Sequence, residues 1–122
     1  MKKLIAAAVI ATATFGAQQA SAEDGYIEES QFCNLITQMS EVTQQMAREG
    51  LSLAYTADYI LGDSVDNITS GNVANEKFAT FTVKTAYEYM EAVYSNPYVE
   101  TDTMLHHVYE SCMILAGGYE NE

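Results

Sequence analysis

Residues 31–49 read QFCNLITQMSEVTQQMARE, and the spacing inside this stretch decides the fold. Phe32, Leu35, Ile36, Met39, Val42 and Met46 recur at steps of three and four, which places them on one half of a helical wheel. Asn34, Gln38, Glu41, Gln44, Gln45 and Arg48 fill the other half. The stretch is an amphipathic helix that needs partners to cover its apolar side. Ser30 offers an N-cap hydroxyl in front of it and Gly50 a C′ stop behind it. Cys33 falls at the edge of the apolar half.

Working outward toward the C-terminus, Ser52 can cap a short second helix through Leu61, with Gly62 ending it. Residues 62–75, GDSVDNITSGNVAN, concentrate Gly, Asp, Asn and Ser and read as the longest loop. The glycosylation sequon inside it, Asn67-Ile68-Thr69, is discounted by the bacterial character of the N-terminal leader. A third helix is expected from Glu76 to Ser95, stopped before Pro97. The β-branched cluster Thr80 to Thr85 is also compatible with a strand. The wheel favours helix: Phe78, Ala79, Thr82, Val83, Ala86, Met90 and Val93 share one broad arc with Tyr87, Tyr89 and Tyr94, and only Phe81 falls near the polar side. Thr101 or Thr103 caps a fourth helix through Ala116, stopped by Gly117-Gly118. Its apolar face holds Met104, Leu105, Val108, Tyr109, Cys112, Leu115 and Ala116. The fold class that follows is all-α, a small bundle of about four helices.

Outward in the other direction, residues 1–22 have the layout of a cleaved signal peptide. Lys2 and Lys3 form a basic start, Leu4 to Phe15 is apolar, and Ala20-Ser21-Ala22 supplies the small residues of a cleavage site. The mature chain then begins at Glu23 and works in the periplasm or outside the cell. Residues 23–122 make a single helical domain, with 23–30 and 117–122 read as loose ends. Cys33 is too far from Ala22 for a lipoprotein anchor, and no later stretch approaches the roughly 18 apolar residues of a membrane span.

Without the leader, Arg48, Lys77 and Lys84 are the only cations against seventeen acids, a net charge of −14. Such a surface repels nucleic acid and anionic lipid, both of which are bound through cationic groups. It suits either solubility or the steering of a cationic partner. The two cysteines, Cys33 and Cys112, face an oxidising compartment, where a disulfide is the default. A single intramolecular pairing is possible, and it would join the first turn of helix one to the last turn of helix four. A bridge between two copies, a catalytic thiol or a metal ligand are the alternatives.

The inventory of reactive groups is thin. His106 and Glu110 have helical i, i+4 spacing with His107 beside them, but no neighbouring residue supplies a third zinc ligand. Met39, Met46, Met90, Met104 and Met113 fall mainly on core faces and form no Met-x-x-Met cluster. There is no nucleophile elbow, phosphate-cradling glycine loop or His-Glu-x-x-His, so the residues call for no enzyme, metal or cofactor. Nine tyrosines stand out in so acidic a chain. Tyr87, Glu91, Tyr94 and Tyr98 follow i, i+4, i+7 and i+11 if helix three is extended past Ser95 to reach Tyr98, a candidate partner-binding set at the border of its apolar and polar sides. The competing reading is of boundary tyrosines whose rings cover the core while their hydroxyls reach water.

Cys33, Arg48-Glu49-Gly50-Leu51-Ser52, Ala86-Tyr87, Pro97 and Cys112 together resemble a loose group of small Sec-exported helical proteins of phages, prophages and proteobacteria. The resemblance implies a periplasmic bundle closed by a disulfide and brings no catalytic residues. Taken with the charge, the expectation is an exported acidic protein that acts by binding, as a partner or inhibitor of a cationic envelope or secreted protein. A stress or structural protein with weak, promiscuous contacts is the alternative, ahead of a small enzyme.

Overall fold

The computed structural model describes residues 3–5, 26–73 and 76–120. They form an all-α bundle of four helices: α1 (Glu29–Arg48), α2 (Leu53–Thr69), α3 (Glu76–Ser95) and α4 (Thr101–Glu120). Two three-residue strands precede it, β1 (Lys3–Ile5) and β2 (Tyr26–Glu28), paired antiparallel with Leu4 opposite Ile27. β1 belongs to the segment read as a leader. The rest of that segment's apolar stretch and its cleavage site lie outside the described residues.

α1 is the helix around which the bundle is arranged. It packs along α4 and against α3, while α2 leans mainly on α3 and touches α1 lightly. On the predicted apolar face of α1, Phe32, Ile36 and Met39 are at most 1% exposed, while Val42 and Met46 are only half-buried; Gln44, expected on the polar half, is buried because its side chain turns in to bond the Val99 carbonyl and Thr101. Phe32, Ile36 and Met39 meet Ile60 and Leu61 from α2, Phe78, Ala86 and Met90 from α3, and Val108, Cys112 and Ala116 from α4. α1 starts at Glu29, directly after the extended β2, so Ser30 sits in the first turn and is not the cap. An acidic residue at that end suits the positive pole of the helix dipole. Gly50 terminates α1 as expected. It adopts φ +85°, and the Gly50 and Leu51 amides close a Schellman turn on the carbonyls of Ala47 and Met46.

The resolution of the Thr80–Thr85 ambiguity is helical. Thr82 is buried, and its hydroxyl donates to the carbonyl of Phe78 at 2.8 Å. The helix thereby satisfies a polar group that the core would otherwise leave unpaired. Ser40 and Thr43 do the same on α1, donating to Ile36 and Met39 at 2.9 and 2.8 Å. Phe81 is partly buried and not on the polar side. Its ring lies 5.7 Å from that of Phe78 and 6.5 Å from that of Phe32, because an aromatic side chain is long enough to lean back onto the core. α3 ends at Ser95, two residues before Pro97.

Neither expected threonine caps α4: Thr101 is its first residue and its hydroxyl donates to Gln44 Oε1, and the Thr103 hydroxyl donates to Glu100 Oε1. Two helix C-termini also lie beyond their expected stops. α2 does not stop at Gly62 but continues to Thr69, so the first half of the expected loop is helical. Ser64 is buried against the core and Ile68 packs beside it, and this tertiary burial outweighs the turn-forming composition. The true stop is Gly71 at φ +75°, where the Gly71 and Asn72 amides bond the carbonyls of Ile68 and Asn67 in a second Schellman turn. The start was legible: Ser52 accepts the Tyr55 amide at 3.0 Å. α4 likewise runs through Gly117-Gly118 to Glu120. Its buried stripe is narrower than expected, Val108, Cys112 and Ala116 at steps of four, and Leu115 is exposed.

Cys33 and Cys112 are joined, with a Cα–Cα distance of 5.6 Å and both side chains fully buried. The bridge links the first and last helices, the intramolecular pairing among the alternatives the sequence left open. Among the described residues there is no free cysteine.

Candidate functional site

The site follows from how α2 meets α3. Along α2, Ala57, Leu61 and Val65 recur at steps of four and face Val83 and Tyr87 on α3. α2 packs mainly on α3, and this apolar strip beside their contact remains an open groove of about 670 Å³. Its edges are charged. Asp58 and Asp66 on α2 and Glu88 and Glu91 on α3 line it, with Lys84 as the single cation. Gly62 lies at its middle.

Two of the four predicted partner-binding residues, Tyr87 and Glu91, reach this groove. Tyr94 and Tyr98 do not. The Tyr94 hydroxyl is taken up inside the fold: it donates to the Leu51 carbonyl at 2.7 Å and shares a 2.7 Å bond with the Thr56 hydroxyl, locking α3 to the entry of α2. Tyr98 follows the end of α3, so the helical spacing no longer applies to it. Its ring is 73% exposed and lies under the Arg48 guanidinium, 5.8 Å from ring centroid to Cζ. The set predicted as one patch is split into a groove pair, a structural tyrosine and a loop tyrosine.

The sequence reading missed Gly62, Val65 and Asp66 because it ended α2 at Leu61, and it passed over Asp58, which lay inside the expected helix. A signal was present: the apolar step of four continues through Val65, and residues 53–69 contain three aspartates and no lysine or arginine.

The remaining candidates are placed as follows. His106 Nε2 is 3.2 Å from Glu110 Oε1, with the side chains 70% and 60% exposed, an arrangement that contributes little to stability. His107 stands beside His106, with ring centroids 6.3 Å apart. No group of three or more His, Cys, Asp or Glu side chains positioned to hold a metal occurs among the described residues. Met39 and Met90 are fully buried, and Met104 and Met113 pack on the core. The sequon Asn67-Ile68-Thr69 forms the last turn of α2. A smaller cavity of about 270 Å³ lies between α3 and α4, lined by Tyr89, Val93, Met104 and His107 among others. No helix among the described residues is long and apolar enough to cross a membrane. No family model, curated protein or solved structure matches the chain.

Proposed function

We propose that this is an exported binding protein without catalytic activity, carried out of the cytoplasm by the leader of residues 1–22, whose partner is a cationic protein of the envelope or the secreted fraction. One observation carries the reading: the acidic charge is not neutralised within the fold. Among the described residues the only carboxylate within 4 Å of a basic side chain's nitrogen is that of Glu110, beside the His106 imidazole, leaving the carboxylates of α2 and α3 facing solvent. A protein that carries −14 outside its leader projects a field that accelerates encounter with a cationic surface and repels nucleic acid and anionic lipid. The buried disulfide fits an oxidising compartment.

Crosslinking in intact cells, followed by identification of the captured protein, tests this directly. The captured partner is basic. Its association with the purified protein slows steeply as salt rises while dissociation changes less, because exposed charges are screened over about 8 Å at physiological ionic strength. Association that is indifferent to salt overturns the reading.

A further inference from the structure

We infer that the groove between α2 and α3 receives a short amphipathic helix of that cationic partner; the inference rests on the binding function proposed above. Val65 and Tyr87 are 45% and 39% exposed on the groove, so apolar surface is left in water where two helices could hold a third. The groove spans Ala57 to Asp66 on α2, about 14 Å at the helical rise, or two to three turns of an occupant. A helix suits it better than an extended segment. The backbone groups of α2 and α3 are spent inside their own helices, so a strand laid on this apolar floor would leave its N–H and C=O groups unpaired, whereas a helix satisfies its own.

Charge selects the occupant further. Four carboxylates against Lys84 favour a helix flanked by Lys or Arg and disfavour a second copy of this acidic chain. Gly62 lies midway along the α2 side of the groove. A glycine inside a helix weakens it relative to alanine, and the only side chain a Cβ here would meet is that of Asp58, its Oδ1 at 3.1 Å. No other side chain of the fold fills the space, and the bare backbone at the centre of the groove lets a bound helix come near.

The probe is a capped peptide of about twelve residues with Leu at helical i, i+3, i+4 spacing and Lys elsewhere, compared with a peptide of the same composition in which the spacing is shuffled. Titrated into the oxidised protein, the amphipathic peptide gains helicity by circular dichroism and binds at least about tenfold more tightly than the shuffled one. Asp58→Asn with Glu88→Gln weakens it about tenfold, whereas Glu41→Gln with Glu49→Gln, the same charge change on α1 and the turn that follows it, weakens it less than about threefold. Gly62→Ala raises the melting temperature yet weakens the peptide, opposite movements that a purely structural role for this glycine does not produce. Equal binding of both peptides, or of neither, overturns the helical occupant. Equal loss in the two double variants overturns the groove as its location. In each of these failures the cationic partner still stands or falls by the crosslinking and salt-dependence test.

Discussion

Arg48 Nε donates to the carbonyl oxygen of Pro97 at 2.7 Å, which ties the last turn of α1 to the loop between α3 and α4. Nη2 of the same guanidinium donates to the Val99 carbonyl at 2.9 Å, and Gln44, one turn earlier, donates to that oxygen at 2.8 Å. Thr101 completes the arrangement by donating to Gln44 Oε1 at 2.7 Å. The loop has no helix of its own to absorb its carbonyls, so α1 absorbs them, and the start of α4 is positioned by the same contacts.

Arg48→Ala is therefore expected to destabilise the protein by about 1–2 kcal/mol in urea unfolding, the lower part of the range for charged hydrogen bonds because these are exposed. Arg48→Lys recovers little of it, since a single ammonium does not reproduce the planar fork that serves two carbonyls. Full recovery by lysine would show that charge alone matters here.

The Cys33–Cys112 bridge closes a separation of 79 residues, for which chain entropy predicts about 4.5 kcal/mol. Denatured, unreduced protein should show no titratable thiol. Reduction should lower stability by about 2–5 kcal/mol. Because both cysteines are fully buried, reduction of the native protein is slow and accelerates in denaturant. Rapid reduction without denaturant would mean that the ends of α1 and α4 open readily.

Tyr94 and Tyr87 separate stability from binding. Tyr94→Phe removes the hydroxyl held by Leu51 and Thr56 and is expected to cost about 1–2 kcal/mol in unfolding while leaving partner affinity unchanged. Tyr87→Ala changes stability by less than about 1 kcal/mol and raises the partner's off-rate, by about 1–3 kcal/mol if it is an anchor. Matched unfolding and binding measurements on both variants decide it, and equal binding losses would reunite the two tyrosines in one surface.

Gly62 inside α2 and Gly71 just past its end should respond to alanine with opposite signs. Gly71→Ala forces a Cβ into left-handed backbone and costs about 1–2 kcal/mol. Gly62→Ala sits in right-handed helix and gains up to about 1 kcal/mol, provided the exposed Asp58 carboxylate turns aside. Thermal unfolding distinguishes them.

One equivalent of zinc should leave the melting temperature unchanged, since a metal that binds only the folded state must raise its stability and His106, His107 and Glu110 form no closed ligand set. A rise of several degrees that His106→Ala abolishes would establish a site there.

What the sequence determined by itself is local. The face that α1 buries, the extent of α3, the Ser52 cap, the Gly50 stop and the break before Pro97 all rest on interactions within a few residues. The disulfide was legible as well, because two cysteines on the apolar faces of the first and last helices have one another as their only intramolecular partner. The tertiary structure decided the rest. Gly62, Asp63, Asp66 and Asn67 read locally as a loop, yet the burial of Ser64 and the packing of Ile68 hold them in α2. That extension creates the groove. Periodicity placed Tyr87, Glu91, Tyr94 and Tyr98 near one border, but it could not show that the Leu51 carbonyl captures Tyr94 or that Tyr98 leaves the helix to lie under Arg48. Side-chain spacing along a helix specifies which face is apolar; which neighbour covers that face, and which part of it stays open to water, depends on residues distant in sequence that only the packed bundle brings together.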